Sequence, residues 1–386
     1  MVEAAVVSGV AAVSAFGRGT RPLLSATLAA TPVFRRVERF DVSRRRVSVA
    51  ATLPGQPDLL EELVGVVDQA CGEAGLDERA RETCPLLLAV HGDPTLARAD
   101  VDDRPAHSAQ SLADRVVART GLSDKLGLDG RLASPPTRVY TSACVAASTA
   151  VADAATLVAL GRADRVVVAA GYLVESDQFA LFDAGRALAT DGSVRPFSAG
   201  RTGLLLGDGV AAVVISSAAA AARRDAPVLA RVAGWSRTGD AYHVCQPRPD
   251  GAGLARAIGT ALRRAGVRAD EVGYVNAHGS GTPFSDAAEA AALHLALGSH
   301  ADRVPVSSTK SVHGQALEAS GLLEFIVTVL AMREGCLPVN AGYLEPDPEC
   351  RLDIIAGEPR EASPRYALSL NAAFGGANTA LLVGAA

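Results

Sequence analysis

Two nearly uninterrupted apolar runs limit the folds open to this 386-residue chain. One covers residues 164–171 (DRVVVAAG) and the other covers residues 209–215 (GVAAVVI). Runs of this kind are typical of central strands that are buried on both faces of a sheet. Residues 59–76 and 108–122 carry apolar side chains at helical spacing and predict amphipathic helices. These four segments together predict an α/β protein.

The order of predicted elements repeats along the chain. After residue 226, strand-like runs resume at 228–234, 271–276, 303–307 and 366–371, with helical segments at 251–265 and 284–297. The stretches YTSACVAAS (140–148) and LNAAFGGAN (370–378) each place a small-residue turn after a strand, which indicates an internal duplication. We therefore predict an N-terminal half, residues 1–226, and a C-terminal half, residues 227–386. Arginine and proline recur throughout residues 18–60, and we expect the structure of this range to be irregular.

Composition and charge exclude several classes of protein. The net charge is -5 and the sequence pI is about 5.8, without a long basic run, which disfavours nucleic acid as a partner. No segment approaches 18 uninterrupted apolar residues and the first residues carry an acid rather than a basic leader, so we expect a cytoplasmic protein. The six cysteines lie far apart, and none pairs with a histidine at zinc-ligand spacing. A structural metal or a disulfide framework is therefore not expected.

Cys144 lies where a predicted strand turns into a predicted helix. Residues 138–141 (RVYT) indicate a short buried strand, and residues 145–161 are rich in alanine and leucine at helical spacing. A thiol at a helix N-terminus lies near the positive end of the dipole, so we expect its thiolate to be favoured. Taken alone, a buried core cysteine is the alternative interpretation. The other five cysteines have no comparable surroundings in the sequence, so Cys144 is the expected nucleophile.

Three further stretches, taken with Cys144, carry a family resemblance over nearly the whole chain. They are residues 276–282 (NAHGSGT) followed by Asp286 and Glu289, residues 308–321 (STKSVHGQALEASG), and residues 371–378 (NAAFGGAN, in which Gly375 follows Phe374). In this order they resemble the HGTGT, KS…GH…AAG and GFGGxN blocks of the β-ketoacyl synthase family of condensing enzymes. Supporting matches lie at residues 195–197 (RPF) and 207–209 (GDG).

The resemblance implies a fold and a set of partners. The family has the thiolase fold, with five layers in the order α/β/α/β/α, and we expect two mixed sheets, one in each half, on either side of the helix that starts at Cys144. Its members take acyl groups from the phosphopantetheine of an acyl carrier protein and need no separate cofactor. They dimerise through the first half, so we expect a homodimer or a heterodimer with a ketosynthase-like chain.

The resemblance also implies roles for individual residues. Cys144 would hold an acyl group as a thioester. The backbone N–H groups of Cys144 and Phe374 would form the oxyanion hole, and the Phe374 ring would gate access of the extender unit. His278 would donate a hydrogen bond to the thioester carbonyl of the extender. Lys310 would support this histidine, with Glu289 as its ion-pair partner.

One position departs from the family pattern. The family has a second active-site histidine five residues after the lysine, where this chain has Gln315. Glutamine can donate a hydrogen bond but cannot gain or lose a proton near neutral pH, so we expect slow malonyl decarboxylation. His313 lies two residues earlier, and a local shift of the loop would bring it into the vacant place. Without such a shift, we expect His313 to pack behind the loop.

Two classes of function fit these residues. The first is a ketosynthase-like enzyme of bacterial polyketide or fatty-acid-like biosynthesis, which would form an acyl-Cys144 intermediate and pass the acyl group on. The acceptor would be an extender carbon or, for an acyltransferase without decarboxylation, another nucleophile. The second is a partner subunit like the chain-length factors, which share the fold but lack the cysteine. The presence of Cys144 favours the enzyme, and we expect C–C condensation.

Overall fold

The computed structural model describes residues 3–92, 108–123 and 138–386. Within these ranges the strands, in chain order, are β1 (Ala5–Ser14), β2 (Gly17–Arg18), β3 (Arg35–Arg36), β4 (Val49–Ala50), β5 (Leu86–Val90), β6 (Arg138–Tyr140), β7 (Arg165–Tyr172), β8 (Gly209–Ser217), β9 (Ala230–Gly239), β10 (Val272–Asn276), β11 (Pro305–Ser307), β12 (Cys336–Leu337), β13 (Asp353–Ile354), β14 (Arg360–Glu361), β15 (Tyr366–Ala373) and β16 (Ala377–Gly384). The helices are α1 (Thr20–Leu28), α2 (Leu59–Glu73), α3 (Glu78–Arg81), α4 (Ala109–Thr120), α5 (Ala146–Ala159), α6 (Ser176–Ala184), α7 (Ala218–Ala222), α8 (Ala252–Ala265), α9 (Pro283–Leu297), α10 (Lys310–His313) and α11 (Ser320–Glu334).

The five helices predicted from the sequence are confirmed as α2, α4, α5, α8 and α9. Asp58 and Ser108 begin α2 and α4, where their side-chain oxygens accept hydrogen bonds from the N–H groups of Glu61 and Ser111. The prediction that residues 18–60 are irregular is wrong for Thr20–Leu28, which form α1, whereas between α1 and α2 only the two-residue strands β3 and β4 interrupt irregular structure. The helix α1 forms because Leu23, Leu24 and Thr27 give it one buried face.

The two halves of the sheet repeat one topology. The strand order is β13-β11-β10-β15-β16-β9-β1-β8-β7-β5-β6, with β2 paired to β1. In the first half, β5 pairs parallel with β6 and β7, whereas β7, β8 and β1 pair antiparallel. In the second half, β10 pairs parallel with β11 and β15, whereas β15, β16 and β9 pair antiparallel.

The expectation of two separate mixed sheets needs one correction. Val6 and Val7 of β1 pair antiparallel with Arg231 and Ala230 of β9, and this short contact joins the two halves edge to edge. In the described residues the strands of the two halves therefore form one continuous sheet that bends around the central helices, while β3 with β4 and β12 with β14 form two small separate sheets.

The helices form three layers around the two halves of the sheet. The central helices α5 and α11 pack on each other, and α5 contacts β5, β7 and β8 on one side and β9 and β16 on the other. Outside, α2 covers β1, β7 and β8, while α8 covers β9 and β16 and packs against α9. The predicted order of layers, α/β/α/β/α, is thus confirmed. None of the described helices is long and apolar enough to span a membrane.

The carboxyl ends of parallel strands bring the predicted site residues together. Cys144 follows β6 in the first half, and His278 follows β10 in the second. Residues 310–315 follow β11, and Phe374 follows β15. Ligands of α/β proteins bind beyond the carboxyl ends of such strands, so this region is where a site is expected.

Candidate active site

Cys144 is the second residue of a 3-10 turn, Ala143–Val145, that joins β6 to α5. Ala143 has a φ of 50°, in the left-handed region that alanine rarely adopts, so the turn is strained. The cysteine is 9% exposed and belongs to the hydrophobic core that lies between the two halves. Its N–H lies in the first turn before α5, where N–H groups have no intrahelical acceptor. A thiol and an available N–H therefore coincide at one point.

The protonation state of Cys144 differs from the sequence-based expectation. Burial raises the pKa of its thiol to about 12, although the nearby Lys310 charge acts in the opposite direction. Desolvation disfavours the charged thiolate, and here it outweighs the position of the residue before a helix. The resting group is a thiol, so it must lose its proton as it attacks a substrate.

Gln315 contacts the thiol directly. Its Nε2 donates to Sγ of Cys144 at 2.6 Å. Its Oε1 accepts a hydrogen bond of 3.1 Å from the Ser320 hydroxyl, whose oxygen accepts one of 2.8 Å from the Ala316 N–H. These contacts fix the orientation of the amide, with its nitrogen toward the sulfur. The sequence did not single out Ser320, whose role depends on the turn between residues 316 and 319.

His313 lies away from the thiol. It is fully buried, and its Nε2 is 3.1 Å from Oγ1 of Thr309 within the same turn. Burial lowers the pKa of His313 to about 3, and the Lys310 charge adds to the effect. Gln315 rather than His313 therefore faces Cys144 in this structure.

His278 is held through its backbone. The N–H groups of His278 and Gly279 each donate at 2.7 Å to the Glu289 carboxylate. The His278 carbonyl accepts a hydrogen bond of 2.7 Å from Nζ of Lys310. Burial, with a smaller effect of the Lys310 charge, holds the pKa of His278 well below its ordinary value. The imidazole is therefore neutral, and its Nδ1 has no hydrogen-bond partner among the described residues.

The ion pair expected between Lys310 and Glu289 is not formed. Lys310 pairs instead with Glu324 of α11, with 2.6 Å between Nζ and Oε1, and both side chains are almost fully buried. The other Glu324 oxygen accepts from Nδ2 of Asn371. Glu289 is occupied by the backbone N–H groups described above, and burial raises its pKa to about 7. Glu324 was missed because it lies outside the sequence blocks that carry the resemblance.

A cavity of about 470 Å³ leads to the thiol. Cys144, His278, Gln315 and Phe374 all line it. Phe374 is 56% exposed, and its ring stacks on that of Phe182 with centroids 5.9 Å apart. The stacked rings of Phe182 and Phe374 thus form part of the same cavity wall as the Cys144 thiol and the His278 and Gln315 side chains.

The turn that carries Phe374 is tied to a neighbouring loop. Gly375 has a φ of 84°, which favours glycine, and its N–H donates to the Val244 carbonyl at 2.8 Å. The loop that follows Val244 contributes Cys245, Gln246 and Pro247 to the cavity wall.

The exposed thiol of Cys245 was missed by the sequence interpretation. It lies on the wall of the cavity that contains Cys144, whereas nothing in the residues around Cys245 in the sequence indicates that position. Across the described ranges, no group of three or more His, Cys, Asp or Glu side chains could hold a metal ion.

Two family models match this chain. The model of the β-ketoacyl synthase N-terminal domain matches residues 63–221, and that of the C-terminal domain matches residues 229–343. The two matches follow each other in chain order and together cover well over half of the sequence.

Curated relatives point to the same group of proteins. Nodulation protein E of Rhizobium meliloti is 41% identical over 262 residues, which cover 67% of this chain and 63% of that protein. A putative polyketide β-ketoacyl synthase 1 of Streptomyces halstedii is 33% identical in an alignment of 420 residues. The alignment covers 99% of this chain and 98% of that protein. The first match spans less than two thirds of its relative, and the second runs along nearly all of both chains.

Solved structures share the fold. One is a type II polyketide ketosynthase bound to a hexaketide and in complex with its acyl-carrier protein, with a TM-score of 0.91 at 22% identity and full coverage of both chains. Another is the ishigamide ketosynthase/chain length factor, with a TM-score of 0.89 at 25% identity and full coverage of both chains. The fold of this chain is the thiolase fold of the ketosynthases, as predicted.

Proposed function

This chain belongs to the β-ketoacyl synthase family, and we propose that it is a ketosynthase-like enzyme of polyketide or fatty-acid-like biosynthesis. It takes an acyl group from the phosphopantetheine thioester of an acyl carrier protein onto Cys144. It then joins that group to the carbon of an extender unit. No cofactor beyond the phosphopantetheine of the carrier is needed for either step.

The observation that carries the proposal is that Cys144 lines the 470 Å³ cavity together with His278, Gln315 and Phe374. A buried nucleophile that faces such a cavity suits a substrate presented on a long flexible arm. The exposed Phe374 ring stands at the position where such an arm would enter.

In the first step, Sγ of Cys144 attacks the thioester carbonyl, and a new C–S bond forms. The N–H groups of Cys144 and Phe374 stabilise the negative charge on the carbonyl oxygen. The bond to the carrier sulfur then breaks, and the proton of the Cys144 thiol ends on the departing pantetheine sulfur. Because burial makes the resting thiol the stable form, this proton transfer accompanies the attack rather than preceding it.

In the second step, a malonyl-type extender loses carbon dioxide, and the electrons left on its α-carbon form the new C–C bond to the acyl carbon. The bond from the acyl carbon to Sγ of Cys144 breaks, and the sulfur takes up a proton. Neutral His278 and the Gln315 amide are the donors available to the enolate oxygen. With Gln315 in place of a histidine, we expect this step to be slow.

A second candidate is acyl transfer to an oxygen, nitrogen or sulfur nucleophile without decarboxylation. The fixed Gln315 amide favours it, because that group donates to the sulfur but cannot exchange a proton. A non-catalytic partner role, like that of the chain-length factors, is disfavoured by the presence of Cys144 in the cavity.

The proposal includes two partners. One related ketosynthase is solved with its acyl-carrier protein and another with its chain length factor. By analogy, we propose that this chain receives its substrates from a carrier protein and acts as a homodimer or beside a ketosynthase-like subunit.

Intact-protein mass spectrometry with a panel of acyl carrier thioesters tests the proposal. We expect a single acyl adduct that Cys144→Ala abolishes and that Cys245→Ser, at the wall of the same cavity, leaves in place. Addition of malonyl carrier should release carbon dioxide and elongate the acyl group. An adduct that persists in Cys144→Ala, or no adduct with any thioester, would contradict the proposed function.

A further inference from the structure

A polar cluster beside Cys144 takes no part in the steps above. It consists of His91, Tyr172 and Glu318 and is called the 91–172–318 cluster below. None of its members is among the residues that line the 470 Å³ cavity.

The register of the sheet places His91 and Tyr172 next to each other. The last pair of the ladder joins Val90 of β5 to Gly171 of the parallel strand β7, and His91 and Tyr172 are the residues that follow that pair. Tyr172 belongs to the same hydrophobic core between the halves as Cys144. His91 comes directly after β5, and its side chain lies beside Glu318.

Glu318 reaches this place from the second half. It is the middle residue of a 3-10 turn, Leu317–Ala319, that contacts the turn Ala143–Val145 and the strands β5 and β7. Each turn begins with a residue of positive φ, and each leads into one of the two central helices. Glu318 is therefore the counterpart of Cys144 in the second half.

Two atoms of the cluster lack partners although they are buried. Glu318 is 1% exposed and Tyr172 is 4% exposed. Nδ1 of His91 lies 3.4 Å from Oε1 of Glu318. Oε2 of Glu318 and the Tyr172 hydroxyl have no hydrogen-bond partner among the described residues. Buried polar atoms are rarely left unpaired, so these two atoms point to a polar partner that the described residues do not supply.

The Glu318 carboxylate acts on both neighbouring groups. Burial is the main cause that raises the pKa values of Cys144 and Tyr172, and the Glu318 charge adds to the rise in both. The turn that carries Glu318 contacts the turn that carries Cys144, so a short acyl group on Sγ lies beside the cluster.

We propose that the 91–172–318 cluster is a subsite for a hydroxyl group on the acyl chain held by Cys144. A hydroxyl donates to Oε2 of Glu318 and accepts from the Tyr172 phenol, which satisfies both atoms. An alkyl chain would leave both unpaired, and a carbonyl would satisfy only the phenol. The inference rests on the proposed function, because it needs the acyl group to be attached at Cys144.

The test compares pantetheine thioesters of equal chain length. Butanoyl, 3-hydroxybutanoyl and 4-hydroxybutanoyl pantetheine are supplied separately, and the initial rate of Cys144 acylation is followed by intact mass. We expect at least one hydroxy isomer to load about tenfold or more faster than butanoyl, since buried polar groups left unpaired reject an analogue that lacks its hydroxyl. Glu318→Leu should bring this ratio close to one.

Tyr172→Phe is the second variant, because it removes only a buried oxygen and keeps the packing. It should lower the preference for the hydroxy isomer while the protein stays folded. Glu62→Leu, at another buried glutamate on the outer helix α2, is the matched control and should keep the wild-type ratio.

Equal loading of all three thioesters by the wild type, or a ratio unchanged in both cluster variants, would overturn the subsite and leave the proposed function intact. If no thioester loads, the proposed function fails instead. The subsite is then decided by calorimetry with the corresponding unreactive pantetheine amides. Tighter binding of a hydroxy amide that depends on Glu318 supports it, and equal binding of all the amides overturns it.

Discussion

The Gln315 amide donates a hydrogen bond to the Cys144 sulfur, but it cannot give up or accept a proton near neutral pH. Its nitrogen donates to the sulfur, and its oxygen is held by Ser320. The neighbouring His278 is neutral because of burial, so it also acts as a hydrogen-bonding group rather than as a cation. The two side chains thus suit the loading of an acyl group better than the decarboxylation of an extender.

Gln315→His should raise malonyl decarboxylation by about a hundredfold, the usual effect of one well-placed donor, with little change in acyl loading. The reason is that loading depends on Cys144 and the oxyanion hole, whereas the enolate needs a second donor with the reach of an imidazole. The measurement is carbon dioxide release and acyl-enzyme formation on the same samples.

His313→Gln is the control for this prediction, since His313 is buried away from the thiol. It should change neither step once its folding has been verified. Rapid decarboxylation by the wild type, lost in His313→Gln and not improved in Gln315→His, would identify His313 as the second histidine.

The alkylation of Cys144 should depend strongly on pH. Burial raises the pKa of its thiol to about 12, so the thiolate fraction keeps growing across the accessible range. In a Cys245→Ser background, we expect the iodoacetamide rate at Cys144 to rise about tenfold per pH unit between about pH 8 and 10. An ordinary thiol would level off near its pKa of about 8.5. A plateau of the Cys144 alkylation rate by about pH 9 would contradict this prediction, because it would mean that the protein stabilises the thiolate.

The residues that react could be predicted from sequence better than the residues that support them. Cys144, His278, Gln315 and Phe374 lie in blocks with recognisable neighbours, and the structure brings them to one cavity. The partner of Lys310 could not be found in this way. Glu324 meets Lys310 only once α11 is in place, and the position of α11 depends on the whole fold.

At the scale of elements, the turn that carries Gln315 is fixed by a close backbone approach. A Cβ atom at Gly207 would lie 2.0 Å from the His313 carbonyl oxygen. The Gly207 N–H donates to the Gln315 carbonyl at 2.9 Å. Only glycine fits this contact between the strand region before β8 and the turn after α10.

Gly207→Ala should therefore lower the free energy of unfolding by about 1–3 kcal/mol and slow acyl loading, since the turn must move to make room. Gly65→Ala on α2 is the control, because a Cβ there meets nothing within 4 Å. That change should raise the free energy of unfolding by about 0.5–1 kcal/mol. Urea unfolding and loading rates check both. Full loading in Gly207→Ala would show that the turn tolerates displacement.

Amphipathic helices could be predicted from the sequence, whereas the turns could not. The helix α2 can be predicted from the spacing of its apolar residues and from Asp58, which caps its N-terminus. The 3-10 turns before α5 and α11 begin with Ala143 and Leu317, and neither residue type indicates a positive φ. These conformations result from the packing of the two central helices and not from local preference.

At the scale of the whole molecule, the repeated topology is bound into one body. The two halves share a sheet contact between β1 and β9, and the central helices α5 and α11 pack against strands from both halves. The layer order could be predicted from the family resemblance. The join of the sheets could not, because it involves only two residues on each strand and carries no pattern of its own.

The sole tryptophan reports on this union of the halves. Trp235 lies on β9 in the second half, and its Nε1 donates at 2.8 Å to Oγ1 of Thr156 on α5 in the first half. Because both halves bury their inner faces on the same central helices, neither half should keep its core without the other. We therefore expect urea unfolding followed by tryptophan fluorescence and by far-UV circular dichroism to give coincident transitions.

Thr156→Val should lower the free energy of unfolding by about 1 kcal/mol through loss of the hydrogen bond from Trp235, with the two probes still coincident. Loss of the Trp235 signal at a clearly lower urea concentration than the helical signal would mean that the halves separate before they unfold.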